Sequence, residues 1–146
     1  MVAINFVNFS FVSDSYPMGQ NTNYFFNVRN RSTAKQTGPL TSSLNRIAVN
    51  QLKHVPLVIS RHQSCPSNII MISLHSFEPN RPNDVECLGS IGFHIYDIID
   101  SSPWASSFEF WNDTYLVGML ELEFTFNYGS FGYGHSIQVK KERERD

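Results

Sequence analysis

Tyr115–Tyr128 reads Y-L-V-G-M-L-E-L-E-F-T-F-N-Y. Leu120, Leu122, Phe124 and Phe126 occupy every second position, with Glu121, Glu123 and Thr125 between them. A period of two sends successive side chains to opposite faces, so this run predicts a strand with one apolar and one polar face. Branched and aromatic side chains also suit a pleated, half-buried surface.

The same signature recurs on both sides of that strand. Val2–Val12 places Ile4, Phe6, Phe9 and Phe11 inward, and its change of phase near Val7 predicts a bulge. Tyr24–Arg29, Asn68–Phe77, Leu88–Ile99 and Ser107–Trp111 read as further strands. Asn68–Phe77 is the most apolar of them, and Ile91, Phe93 and Ile95 alternate in Leu88–Ile99. Val55–Ser60 is a strand that Pro56 confines to its start or to an edge. Asn30–Ser43 reads as polar connection with a short strand around Lys35–Leu40, and Leu44–Lys53 stays open between strand and a weak helical turn. Turns fall at Ser13–Asn23, Arg61–Asn68, Asp100–Ala105 and Asn112–Thr114, and a proline-stiffened loop at Glu78–Glu86. Short strands spaced roughly ten residues apart, without an amphipathic helix, predict an all-β fold, an antiparallel eight-stranded sandwich. The domain is expected over 1–134, with 135–146 as a polar tail ending K-K-E-R-E-R-D. Such a tail suggests a fragment of a larger chain.

Composition narrows the function. Of 146 residues, 41% are apolar and only 16% charged, which suits a packed core rather than disorder. Lys plus Arg is 11 against 13 Asp plus Glu, a net charge of −2, so no nucleic-acid partner is expected. No apolar run is long enough to span a bilayer as a helix, and no secretory leader precedes the first strand, so an intracellular, cytoplasmic-face location is expected. Cys65 and Cys87 form no disulfide framework, and His54, His62, His75, His94 and His135 are dispersed, so neither metal nor cofactor is expected. No nucleophile-elbow, phosphate-binding or dinucleotide glycine pattern occurs, and the chain is read as not an enzyme. Cys87, at a strand start, reads as a small hydrophobe.

Three segments in order resemble the C2 domain family. Asn23-Tyr24-Phe25-Phe26-Asn27-Val28 stands where the family has D-P-Y-V-x-V. Ile69–Phe77, a loop and Leu88-Gly89-Ser90-Ile91-Gly92-Phe93 are similar to its alternating strand, acidic loop and L-G-x-x-x-I strand. Trp111 and Gly118–Phe124 resemble the terminal W-x-x-L and G-x-L-x-L-x-L pair. The resemblance implies a sandwich with loops gathered at its ends. It also raises calcium, which needs about five carboxylates on two such loops. Here Asn23 stands at an acidic position, and Asp14, Glu78, Asp84 and Glu86 remain as scattered acids, with Asp14, Asp84 and Glu86 as the candidates should calcium bind, so calcium independence is expected.

Two surfaces are expected to bind. Arg29, Arg31, Lys35, Arg46 and Lys53 lie in a stretch with no acidic residue, which suits a protein partner or an anionic membrane surface. Phe131 and Tyr133 lie in N-Y-G-S-F-G-Y-G-H (127–135), where glycines alternate with aromatics and offer a protein partner adaptable apolar area. That segment resembles the C2 region of flagellar targeting subunits, which implies a cilium or flagellum and a scaffolding or targeting role. The leading expectation is a non-catalytic interaction module; the alternative is a peripheral membrane-binding domain.

Overall fold

A computed structural model of the chain describes residues 2–12, 22–31, 33–56 and 68–126. Among these residues the elements are β1 (Val2–Phe11), β2 (Asn23–Asn30), β3 (Thr33–Gln36), β4 (Ser42–Ser43), β5 (Arg46–Val55), β6 (Ile69–Glu78), β7 (Arg81–His94), α1 (Ile95–Ser101), β8 (Trp104–Asn112) and β9 (Tyr115–Phe126). The strands pair antiparallel in the order β3-β2-β6-β7-β8-β9-β1-β5-β4. β7 and β8 share one register pair, Ser90 with Trp111, and there the sheet curls over on itself. The β3-β2-β6-β7 layer therefore faces the β8-β9-β1-β5-β4 layer, which makes a sandwich.

The alternation that predicts the strands also fills the space between the layers. Ile4, Phe6 and Phe9 of β1 stand opposite Phe124, Leu122 and Leu120 of β9, and all six are fully buried. Directly opposite residues share a face, so this lattice turns one apolar surface toward the other layer. The layers meet through rings: Phe6 and Phe26 lie 5.4 Å apart, Phe26 and Phe110 6.2 Å, and Phe11 and Tyr24 5.7 Å. A second aromatic group closes the opposite end, where Phe93 packs at 4.9 Å against both Phe108 and Phe124. Each fully buried large apolar side chain contributes about 1.5–3 kcal/mol before entropy is counted.

The phase change near Val7 is a stepped bulge across three strands. Between Phe6 and Asn8, β1 carries one residue more than β9, where Leu122 and Glu121 are adjacent partners. Over the same interval β5 carries one more than β1, since Gln51 and Ala48 are the partners of Phe6 and Asn8. Asn50 lies in that extra pair and takes a left-handed φ of 49°, which Asn tolerates better than most residues.

Several expectations are corrected. Among the described residues β4 brings the strands to nine rather than eight. Leu88–Ile99 does not stay extended: the chain turns into α1 at Ile95, and the His94 ring caps it, Nδ1 accepting from the Tyr96 N–H at 3.2 Å. Apolar Ile95, Ile98 and Ile99 follow helical spacing, with Ile95 and Ile98 buried. Glu78–Glu86 is not a loop but the tip of the β6–β7 hairpin, with Glu78 opposite Arg81 and only Pro79 and Asn80 turning. β3 occupies Thr33–Gln36 rather than Lys35–Leu40, and Leu40 instead makes an isolated bridge to Tyr24. The undecided segment is strand β5, which ends at Val55, and residues 57–60 of the strand expected from Val55 lie outside the described residues. Asp14, Phe131, Tyr133, the boundary at 134 and the tail 135–146 lie outside the described residues.

The β4–β5 turn carries visible strain. Leu44 and Asn45 take φ of 52° and 65°, the pair of positive values that a two-residue hairpin turn needs. Asn is at home there; Leu, with a branched apolar side chain 95% exposed, is not. Leu44→Asn is therefore expected to raise stability by about 0.5–1 kcal/mol, read as a higher urea midpoint at unchanged slope.

Candidate interaction surfaces

The five predicted cations follow each other in sequence but not in space. Arg29 projects from the outer face of β2, beside outward Asn27 and Phe25. Lys35 stands opposite buried Val28, so it points to the core side and escapes to solvent only because β3 is an edge strand. Arg31 is exposed in the β2–β3 turn. Arg46 stands opposite Ser10 on the outer face of the other layer. Lys53 stands opposite buried Ile4, at the core-side margin of β5. Lys35 and Lys53 thus share the side of the sandwich where β3 runs beside β5, tied there by the Thr33 hydroxyl donating to the Pro56 carbonyl at 3.4 Å. Arg29 and Arg46 project from opposite outer faces.

Asp84 and Glu86 are exposed on the β7 half of the hairpin, with Glu86 opposite Ser76. Among the described residues no three His, Cys, Asp or Glu side chains come together in a way that could hold a metal ion. Glu121 and Glu123 face outward from β9 and accept from the Asn8 and Asn5 amides at 2.8 and 3.1 Å, which fixes them as part of the sheet's polar lattice. Cys87 is corrected: it is exposed rather than packed as a small hydrophobe.

A surface that sequence reasoning missed is the outer face of β2 and β6. On β6 the side chains of Ile69, Met71, Ser73, His75 and Phe77 alternate outward, and on β2 those of Phe25, Asn27 and Arg29 do. Phe25 lies opposite His75 and stacks on its ring at 5.0 Å and 17°, while Phe77 tilts against Phe25 at 5.9 Å. Ser73 Oγ and His75 Nε2 share a hydrogen bond at 2.8 Å. The outer face of a sandwich is ordinarily polar, so aromatic rings left partly exposed there mark this face as a candidate interaction surface. The signal is present in I-I-M-I-S-L-H-S-F, which is apolar at both phases through Ile69, Ile70, Met71 and Ile72.

His75 is tuned by this setting. Burial lowers its pKa below the ordinary imidazole value, and the nearby Arg29 cation lowers it further. A depressed folded pKa means that the unfolded chain binds the proton more readily. The stability that neutral His75 contributes is therefore complete above the ordinary imidazole pKa and is lost as pH falls through the lowered folded value. His75→Gln is expected to flatten the part of the stability profile below neutral pH. Arg29→Gln is expected to move the inflection upward. Urea midpoints across a pH series would show both.

Residues 2–129 match the family described as cation channel sperm-associated targeting subunit tau. A human protein of that description is 31% identical over 94 residues, covering 64% of this chain and 5% of the relative. A mouse protein of the same description is 27% identical over 90 residues, covering 62% of this chain and 4% of the relative. The chain therefore spans only a small part of the curated relatives it matches. Among solved structures, the tandem C2 domains of extended synaptotagmin 2 superpose with a TM-score of 0.66 at 14% identity, covering 85% of this chain and 39% of that one. A C2 domain-containing protein from a putative elicitor-responsive gene superposes with a TM-score of 0.63 at 10% identity, covering 91% and 92%. At such identities the likeness shows the fold, which is that of a C2 domain.

Proposed function

The chain belongs to the family of the cation channel sperm-associated targeting subunit tau, and from that membership we propose that it acts as a calcium-independent, non-catalytic C2 module that docks protein partners. In this reading it serves as a scaffold or targeting element of a larger protein in a sperm flagellum, with other polypeptides of a cation channel assembly as its partners. The observation that carries the reading is the outer face of β2 and β6, where Phe25, Phe77, Met71 and Ile69 lie partly exposed around the Phe25–His75 stack. Partly exposed aromatic and Met side chains are the side chains enriched at protein interfaces. The segment with Phe131 and Tyr133 and the cations Arg29, Arg31 and Lys35 are secondary candidates for the same partners.

The test is co-precipitation of channel-assembly proteins from sperm extract by this chain and by its Phe25→Ser/Phe77→Ser variant. Both rings lie outside the core cluster, so the variant is expected to keep its thermal midpoint within a few degrees and to lose most of the captured partner. Unchanged capture with the fold intact would overturn the reading. Millimolar calcium is expected to leave the midpoint of the unaltered chain where it is, because a ligand that binds only the folded state must raise it. Salt-sensitive sedimentation with anionic vesicles, without protein capture, would favour a membrane surface instead.

A further inference from the structure

We propose that the outer face of β2 and β6 seats an amphipathic helix of a protein partner, with the helix's apolar stripe along β6 and an acidic flank over Arg29. The proposal rests on the reading of that face as a docking surface, and it names the kind of partner the face fits.

The backbone excludes an added strand here. β6 is bordered on both sides, by β2 along Met71–Phe77 and by β7 along Ile69–Glu78, and the Asn30 amide donates to the Ile69 carbonyl at 3.2 Å. The far edge of β2 is covered in turn. β3 pairs with Asn27–Asn30, the Thr37 N–H donates to the Phe26 carbonyl at 2.9 Å, and Tyr24 and Leu40 exchange main-chain bonds at 2.8 and 2.7 Å. Neither strand offers an open edge, so a partner meets side chains alone. A segment that finds no main-chain partners on its host has to satisfy its own, and a helix does so within itself.

The shape of the apolar surface points the same way. Outward along β6 stand Ile69, Met71, Ser73, His75 and Phe77, and Phe25 of β2 lays its ring on His75. On the β2 side the neighbouring outward residues are Asn27 and Arg29; on the β7 side they are Ser90 and Gly92, opposite Ser73 and Met71. A carbon added at Gly92 would stand 2.9 Å from the Met71 sulfur, so Met71 leans over the glycine and broadens the stripe there. The apolar surface is thus a strip along one strand, bordered by polar or small side chains. Packing a second sheet takes an apolar face several strands wide, as the inner faces of this sandwich are. Packing a helix takes only a stripe. At ~3.3 Å per residue Ile69–Phe77 runs about 26 Å, the length of roughly 18 helical residues.

Charge decides the polar side of the occupant. Among the described residues no Asp or Glu takes an outward position on β2, β3 or β6, and Arg29, exposed on β2, is the permanent charge there. A carboxylate on the helix flank above β2 would meet its guanidinium in two-point contact. A lysine in that place would meet a like charge. The partner helix therefore carries apolar residues at spacings of three and four, with Asp or Glu along one flank. A second copy of this chain does not supply it from the described residues, since α1 has seven residues and buries Ile95 and Ile98 in its own core.

The test displays peptides of about 20 residues on phage and selects them against the full 146-residue chain. One library places apolar residues at helical spacing and the other in strict alternation, and both leave the polar positions free to be acidic, basic or neutral. The helical pattern with an acidic flank is expected to be enriched. The strongest such peptide should gain helical circular dichroism on binding and shift the methyl resonances of Ile69 and Met71. It should bind about tenfold more weakly or worse to Arg29→Glu and to Phe25→Ser/Phe77→Ser. A proline at its centre should abolish binding, because it breaks the helix. A peptide whose facing acid is changed to lysine should regain affinity for Arg29→Glu, which keeps the result readable should that variant be less stable. The proposal is overturned if no peptide is enriched, if the alternating pattern or basic flanks win, if Arg29→Glu binds undiminished, or if the Ile69 and Met71 resonances do not move. It is overturned equally if the face is filled by a second copy, seen as a dimer in sedimentation that Phe25→Ser/Phe77→Ser dissolves, or if that variant changes only sedimentation with phosphatidylserine vesicles. Loss of capture from sperm extract by Phe25→Ser/Phe77→Ser without any enriched helical peptide would remove the helix and leave the docking surface. A bound helical peptide beside unchanged capture would remove the channel-assembly role and leave the helix.

Discussion

Gly118→Ala should cost this domain about 3 kcal/mol or more, at the top of the range for overpacking a filled core. Gly118 lies on β9 between Phe11 of β1 and Phe110 of β8, so neighbours close in from both sides. A methyl group there would collide with the Ser10 carbonyl oxygen and approach two ring carbons of Phe9 to 2.7 and 2.9 Å. The ring could tilt, but the carbonyl belongs to the backbone of β1 and is held by its pairing with β9. Relief would require the two central strands to separate. A drop of roughly 10 °C in the thermal midpoint is expected for a chain of this size. Urea unfolding should give a lower midpoint with an unchanged slope. Gly89→Ala offers a milder comparison, since its added carbon would sit 3.0 Å from the Trp111 carbonyl and 3.2 Å from side chains of Phe110 and Val117. A loss below about 1 kcal/mol for Gly118→Ala would mean that β1 and β9 have more freedom than this packing allows.

Phe9→Ala should be worse still, with a loss of about 3–5 kcal/mol. Phe9 is fully buried, and its ring meets Phe11 at 4.9 Å, Phe110 at 5.6 Å and Phe26 at 5.9 Å. The first two contacts are edge-on, with interplanar angles of 82° and 83°. Such pairs contribute about 0.5–1.5 kcal/mol each beyond the area they bury. Phe26 and Phe110 come from opposite layers, so removing Phe9 opens a void where the layers are joined. Domains of this kind hold only about 5–15 kcal/mol in total, and the near-ultraviolet circular dichroism of the variant should weaken before its far-ultraviolet signal does. Combining Phe9→Ala with Gly118→Ala tests the shared geometry. The double variant should lose less than the two single losses added, because the ring clash is gone, yet more than Phe9→Ala alone, because the Ser10 carbonyl remains.

Much of the fold is legible because its decisive residues obey one period. Leu120, Leu122 and Phe124 alternate without interruption, and all are fully buried. Where two periods overlap, the sequence misleads. Ile91, Phe93 and Ile95 continue a strand, while Ile95, Ile98 and Ile99 begin a helix, and nothing local says where the first yields. The capping residue is His94 rather than the Ser, Thr, Asp or Asn that ordinarily announces a helix. Leu44–Lys53 stays undecided for a different reason: its core-side positions run Ile47, Val49, Gln51 and Lys53, so the apolar alternation stops after two residues. The cations show a third limit. Nearness along a chain does not survive alternation and a change of layer, so Arg29 and Arg46 project from opposite outer faces although both belong to one acid-free stretch. The Phe25–His75 stack is illegible in the sequence, because it depends on the register between β2 and β6.

The place of β1 sets the order in which this domain can come into being. Asn8 and Glu121, hydrogen-bonded neighbours, are 113 residues apart in sequence. Closing so long a loop is an entropic cost that must be met before the contacts it brings can repay it, and folds rich in such pairings form slowly. During synthesis at about 5–20 residues per second, β1 can find β5 early but must wait several seconds more for β9. Through that interval Phe6 and Phe9 lack Leu122 and Leu120 as partners, and one edge of β1 lies open. The nascent domain is thus expected to be most open to aggregation, and to benefit most from chaperones, immediately before β9 emerges.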